Sequence, residues 1–323
     1  MEYQPPFTYT DEVGRLALEV AELVGRIRPD SDLATSPTLH RELRIRTIHS
    51  SLVIEGNRLS EDVVTAILDG KRVLGPEREI REVENAHRAY ELIPILDPMS
   101  VDDLLMAHRT MMEGLIPDAG CLRSGDVGVF DGESLIHAGT PASLVPQVLS
   151  DLFGWLSSTD VHPLIASCVF HYELEFIHPF SDGNGRTGRM WHTLLLSRWR
   201  QALAWLPVET VIRERQDGYY AAIAQSNSVG SSEAFVEFML RIIRDALAPY
   251  VMPDHPKERA ERGALSFFAR NPKGTISELA NVIGCSKRSA ERLVARLRAE
   301  GKVVRRGSPR AGTWVVADPD DLP

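Results

Sequence analysis

Cysteine is scarce. Cys121, Cys168 and Cys285 are scattered through 323 residues, with no CxxC pair and no even-numbered framework. That argues against a disulfide scaffold and makes a reducing cytoplasm the expected compartment. Long apolar runs are also missing. None approaches the roughly 18 residues that a helix needs to cross a bilayer, so no membrane association is expected. The opening segment MEYQPPFTYTDEVGR is acidic and polar and lacks the basic start and apolar stretch of a secretory signal. Internal repeats and low-complexity segments are absent too, which sets aside solenoids and fibrous arrays.

What is present is ordinary folded-protein composition, 43% hydrophobic and 25% charged, with enough length for a large core. At about 150 residues per domain, the length favours two domains. The net charge of −9 hides an asymmetry. Residues 256–323 carry 14 Lys and Arg against 8 Asp and Glu, whereas the preceding residues carry 22 against 37. Such a split points to a tail whose partner differs from that of the body.

Helical signals dominate the body. Ser36-Pro37 reads as an N-cap with proline at the first helical position, and Leu39, Leu43, Ile48 and Leu52 recur at helical spacing as far as Gly56. Ser60 caps a next helix with Glu61 and Asp62 in its positive first turn. Further helices are expected over 79–96, 101–115, 144–156, from His162-Pro163 through Phe176, to about Arg200, and over 216–225 and 232–247. One stretch differs: Val127–Phe130 and Leu135–Ile136 favour strands around an Asp131-Gly132 turn, which predicts an isolated hairpin. Pro253 and Pro256 mark a boundary. Beyond it, Thr275 and Glu278 form a capping box, Ser286 caps a second helix, and strands are expected at 302–306 and 313–316. Helix, helix, helix, hairpin is the order of a winged helix-turn-helix.

The chemistry is concentrated in HPFSDGNGRTGR, His178 to Arg189. Gly183-Asn184-Gly185 lets the backbone approach a ligand where a loop feeds into a helix, and the free N–H groups there favour phosphate. Arg186 and Arg189, three apart, share one side of the first turn and can hold a polyphosphate. Asp182 offers a carboxylate oxygen to Mg²⁺, and His178 can take a proton from an attacking hydroxyl. Base, metal carboxylate, anion nest and two arginines make a set for phosphoryl or nucleotidyl transfer.

This segment resembles the signature HPFx(D/E)GNGRxxR of Fic-domain proteins, and the resemblance extends from about Ser51 to Leu247. It implies a mostly α, Fic-type helical bundle with a small β-hairpin flap and an enzyme that transfers AMP from ATP to a hydroxyl side chain of a target protein. The implied roles follow the motif. His178 deprotonates the hydroxyl that attacks the α-phosphate, and Asp182 coordinates Mg²⁺. Gly183, Asn184 and Gly185 form the anion hole, and Arg186 and Arg189 hold the phosphates, with Arg189 on the γ-phosphate. The hairpin resembles the family's flap, which pairs with the target backbone by strand addition, and Val129 on it is an expected nucleotide contact. Tyr220 and Asn227 resemble the nucleoside-binding pair, although Tyr219 and Tyr220 also read as core aromatics. The implied layout is an N-terminal helical region over 1–98, a Fic core over 99–252 and the winged domain over 253–323.

Ser51-Leu-Val-Ile-Glu55-Gly56-Asn57 resembles the family's inhibitory motif (S/T)xxxE(G/N). A carboxylate near a helix C-terminus opposes the helix dipole and needs a cationic partner; the resemblance names Arg189, whose capture would prevent productive ATP placement. In the tail, Lys287, Arg288, Arg292, Arg296 and Arg298 crowd one helix and Arg305, Arg306 and Arg310 the wing. This is the footprint of a DNA-binding module, with a protein contact such as a homodimer as its rival. Two other readings of the whole remain: a DNA-binding regulator with a Fic sensor core, and a Fic enzyme that removes AMP or uses another nucleotide.

Overall fold

In the computed structural model, which describes residues 3–126, 128–131, 134–138, 140–251, 256–306 and 312–316, several helices begin where a hydroxyl caps the first turn. Thr10 accepts the Val13 N–H to open α1 (Asp11–Gly25). A short α2 (Asp32–Thr35) leads to α3 (Pro37–Ile54), capped by Ser36 with proline in the first turn. Ser60 caps α4 (Glu61–Leu68), and Pro76 precedes α5 (Glu77–Glu91). Ser100 caps α6 (Val101–Met112). The hairpin β1 (Gly128–Asp131) and β2 (Ser134–Ala138) is antiparallel, pairing Val129 with His137 and Phe130 with Leu135 across a register shift. Then come α7 (Val145–Ser158), α8 (Pro163–Ile177), α9 (Asn184–Trp199), α10 (Val208–Glu214), α11 (Gln216–Val229) and α12 (Glu233–Val251).

The chain divides into two compact units, Met1–Val251 and Met252–Pro323. The first is built around α8 and α9. Every residue of α8 from Leu164 to Leu174 is buried, as is every residue of α9 from Arg186 to Leu196, which is the pattern of helices packed on all sides. α3 is nearly as enclosed, with Ile48 and Leu52 in the core, Ser50 bonded to Thr210 and the buried Arg44 stacked over Tyr90 and Trp205. The second unit holds α13 (Pro256–Arg270), α14 (Ile276–Val282), α15 (Lys287–Ala299) and the antiparallel pair β3 (Val303–Arg306) and β4 (Thr313–Val316). Phe268, Leu279, Leu297 and Trp314 form its core, and the Thr275–Glu278 capping box is made in both directions.

Several boundaries differ from the sequence reading. α5 stops at Glu91, short of residue 96, because Pro94 disfavours helix in the residue before it. α6 stops at Met112, short of residue 115, where Glu113 is extended and Gly114 turns at φ +69°. α1 and α10 were not anticipated at all. Among the described residues, no helix is long and apolar enough to cross a membrane.

Candidate active site

The segment joining α8 to α9 is held by side chains from several elements. His178 ends α8 at φ 52° and ψ 61°, the only non-glycine residue with positive φ among those described. Phe180 is fully buried and stacks on His108 of α6 at 3.6 Å between ring centroids. Gly120 N–H donates to His108 Nδ1 at 2.9 Å, so Nε2 carries the proton and donates to the Asp182 carbonyl at 2.9 Å. Burial pushes the His108 pKa down to about 4, which keeps this neutral tautomer in place at neutral pH. Asn184 closes the loop, accepting from Phe180 N–H and donating to Phe180 C=O, each at 2.9 Å. Its carboxamide therefore shapes the loop, and only its backbone N–H is left to face an anion.

Gly183 turns the chain into α9 at φ +84°, where a Cβ would lie 2.6 Å from Met112 Sδ. The first intrahelical bond runs from Thr187 N–H to the Gly183 carbonyl, so the N–H groups of Asn184, Gly185 and Arg186 precede the ladder. Among the described residues no side chain caps this end. Such an end attracts an anion through its donors and its dipole.

Both arginines of the motif are buried and held by carboxylates. Arg186 donates to Asp182 Oδ1 at 2.9 Å and lies 3.6 Å from Glu82 of α5. Asp182 also accepts from Gly183 N–H, and its second oxygen lies 3.6 Å from Arg78. Arg189 reaches the other way, to α3. It donates to Ser51 Oγ at 3.1 Å, to the Ser51 carbonyl at 3.0 Å and to Glu55 Oε1 at 2.8 Å. Burial alone would lower the Arg189 pKa, but Glu55 first, then Tyr219 and Glu175, outweigh it and hold the guanidinium above its usual range. A Cβ on Gly185 would fall 2.5 Å from Glu55 Oε1, so the Glu55 carboxylate lies directly over the first turn of α9.

On α11, Tyr219 is buried with its hydroxyl 3.2 Å from His171 Nε2, whereas Tyr220 is 48% exposed. Asn227 accepts from the Tyr172 hydroxyl at 2.9 Å. Val129 lies within the hairpin pairing, but the contact expected of its side chain, like Val127, Gly132 and Glu133, lies outside the described residues. In the second unit, Lys287, Arg288, Arg292 and Arg298 are exposed on α15. Arg296 differs from the expectation of a uniformly basic face: it pairs with Glu261 at 2.8 Å, turning back into its own unit. Arg305 stacks on Trp314, and Arg310 lies outside the described residues.

The sequence reading missed His108, Arg78, Glu82 and Arg123, because each is a solitary residue far along the chain from the motif. It also missed Glu175, a buried carboxylate of α8 near Arg189 whose pKa burial pushes up to about 7.

An uncapped helix N-terminus beside two buried arginines and a carboxylate has the donors and the charge that suit an anion. The Fic/DOC family model matches residues 98–196. A crystal structure of a Fic family protein from Desulfovibrio desulfuricans is similar with a TM-score of 0.74 and 42% identity, over 98% of each chain. The protein adenylyltransferase fic-1 of Caenorhabditis elegans is 30% identical over 226 residues, 65% of this chain and 42% of its own. The protein adenylyltransferase Fic of Nematostella vectensis is 28% identical over 227 residues, 65% of this chain and 49% of its own. The chain belongs to the Fic/DOC family. It spans less than half the length of these curated relatives.

Proposed function

We propose that the protein is an adenylyltransferase that moves AMP from ATP to a hydroxyl side chain of a target protein. The observation that carries this reading is the uncapped start of α9, directly after the loop that begins at His178, with Arg186 bonded to Asp182 beside it and Arg189 bonded to Glu55. In this reading the α9 N–H groups and both guanidinium groups hold the triphosphate. His178 takes the proton of the target hydroxyl, whose oxygen bonds to the α-phosphorus as the bond to pyrophosphate breaks. Tyr220, half exposed on α11, offers a ring face to the base, with Asn227 further along the same helix. The hairpin presents the target backbone by strand addition.

The donor set fits Mg²⁺ rather than a protein-caged metal. Among the described residues no group of three His, Cys, Asp or Glu converges, and Asp182 is a single hard carboxylate beside the anion nest. Mg²⁺ is commonly bound by one or two carboxylates together with substrate phosphates and water, and when bound it would offset phosphate charge. Asp182 is the residue that would hold it.

Glu55 is the proposed brake. Its bond to Arg189 and its position over Gly185 occupy the space and the cation that a terminal phosphate needs. For the second unit, the exposed cations of α15 favour a nucleic-acid contact by a winged helix-turn-helix over a neutral protein contact. The test of the transferase reading is His178→Ala in a Glu55→Gly background with Mg²⁺ and α-labelled ATP. Labelling of protein should vanish while ATP affinity stays. Undiminished labelling would remove His178 as the base.

A further inference from the structure

One buried cation lies outside every role described so far. Arg123, 4% exposed, precedes the hairpin and makes no ion pair with a described carboxylate. Instead its side chain donates to backbone carbonyls: His178 at 2.6 Å, Gly125 at 2.9 Å, Ile177 at 3.3 Å and Thr140. Its own N–H donates to the Pro179 carbonyl at 3.0 Å.

These acceptors form two groups. Ile177, His178 and Pro179 are consecutive and surround the left-handed backbone of His178. A residue with a Cβ holds that conformation only where its surroundings over-determine it. Gly125 and Thr140 are the two roots of the hairpin, one before β1 and one after β2. The Asp126 carboxylate closes the same neck by accepting from Ala142 N–H at 2.7 Å. Burial lowers the Arg123 pKa, with Asp126 the opposing charge, so its charge is used for hydrogen bonding to neutral carbonyls.

We infer that Arg123 is the positioning residue that fixes the target-presenting hairpin relative to the catalytic histidine, tying both hairpin roots to the backbone of His178. This rests on the transferase reading for its purpose, because in-line attack requires the target hydroxyl and the base to be held in one frame. The planar five-donor fork of arginine can span these carbonyls; a lysine ammonium is a point charge that cannot. Among the described residues Arg123 makes no hydrogen bond to the α9 residues that would hold the triphosphate, so its loss should lower transfer by more than it lowers ATP affinity.

Arg123→Ala would strand several buried carbonyls and is expected to unfold, so Arg123→Lys in the Glu55→Gly background is the test. Two readouts are compared with Glu55→Gly alone: hydrogen–deuterium exchange of the full chain, and labelling by α-labelled ATP alongside the Kd for ATP. The expected result is faster exchange in residues 128–138 and 178–183 together, with labelling down about tenfold or more beyond any loss of ATP affinity, since small misplacements of reacting groups carry rate costs of that order. Faster exchange in only one of the two segments, unchanged labelling, or labelling that falls only in step with ATP affinity would overturn the proposal. If Glu55→Gly itself labels nothing, the transferase reading fails, and the exchange experiment still decides whether Arg123 couples the two segments.

Discussion

Two glutamates of α8 hold their protons to unusually high pH. Burial pushes Glu173 and Glu175 up to about 7, and Glu173 accepts a hydrogen bond from the Tyr3 hydroxyl at 3.0 Å. The unfolded chain releases such a proton near 4.5. Between those values the native state carries a proton that the unfolded state has lost, so stability falls as pH rises through that window. The Glu173 contribution is complete below about 4.5 and lost above about 7, a swing of up to about 3 kcal/mol. Glu173→Gln keeps an acceptor for Tyr3 and removes the titration. Its melting temperature should exceed that of the wild type at pH 8 and converge with it near pH 5. Equal melting at both values would mean that Glu173 titrates normally in the fold.

At the same scale, the contiguous motif and the Glu55–Arg189 pair were the parts legible in the sequence. His178 to Arg189 is contiguous, and Ser51 to Asn57 carries its own register, so both could be read without knowing the packing. The supports were not legible. His108 acts through a backbone carbonyl and Arg123 through several carbonyls, and hydrogen bonds to backbone leave no pattern of side-chain types in a sequence. Asn184 shows another limit: its carboxamide bonds both ways to Phe180 within the loop, which the residue type in the motif does not disclose.

Among the elements, the turn into α9 is the most constrained. Gly183 combines positive φ with a 2.6 Å approach to Met112, so Gly183→Ala is expected to displace the loop and abolish ATP binding. Calorimetry showing wild-type ATP affinity in that variant would contradict this. α3 raises a different issue. Ile48 is fully buried, and Ser50, Ser51 and Leu52 are no more than 2% exposed, so the helix carrying Glu55 is part of the core rather than a detachable arm. Release of the brake should then need movement of the Glu55 side chain, not withdrawal of α3. Leu52→Ala should cost about 2–5 kcal/mol of stability while raising labelling far less than Glu55→Gly does. Comparable activation by both would favour a helix that detaches. The helix starts at Thr275, Ser286, Ser36 and Ser60 were legible because each is a hydroxyl cap, whereas the Thr10 cap of α1 was not read. The ends of α5 and α6 were not, because the apolar period continues past the points where Pro94 and Gly114 stop the helix.

For the molecule as a whole, the chain divides after Val251, and residues 1–251 form one compact unit. Each unit has its own buried cluster. Deleting residues 252–323 should therefore leave the first unit folded, with its melting transition retained and its ATP affinity intact. If the second unit binds DNA through the exposed cations of α15, affinity should fall steeply with added salt. A flat salt response, or no binding at low salt, would favour a protein partner.

The central claim is that a phosphate-holding arginine at a nucleotide site is captured by Glu55. The most direct measurement is labelling by α-labelled ATP with Mg²⁺ for the wild type, Glu55→Gly and Glu55→Gly/Arg189→Ala, with intact mass of the labelled protein. The account predicts weak labelling in the wild type, strong labelling with the mass of one or more AMP groups in Glu55→Gly, and none in the double variant. A folded Glu55→Gly protein no more active than the wild type, on itself or in a cell lysate, would contradict it.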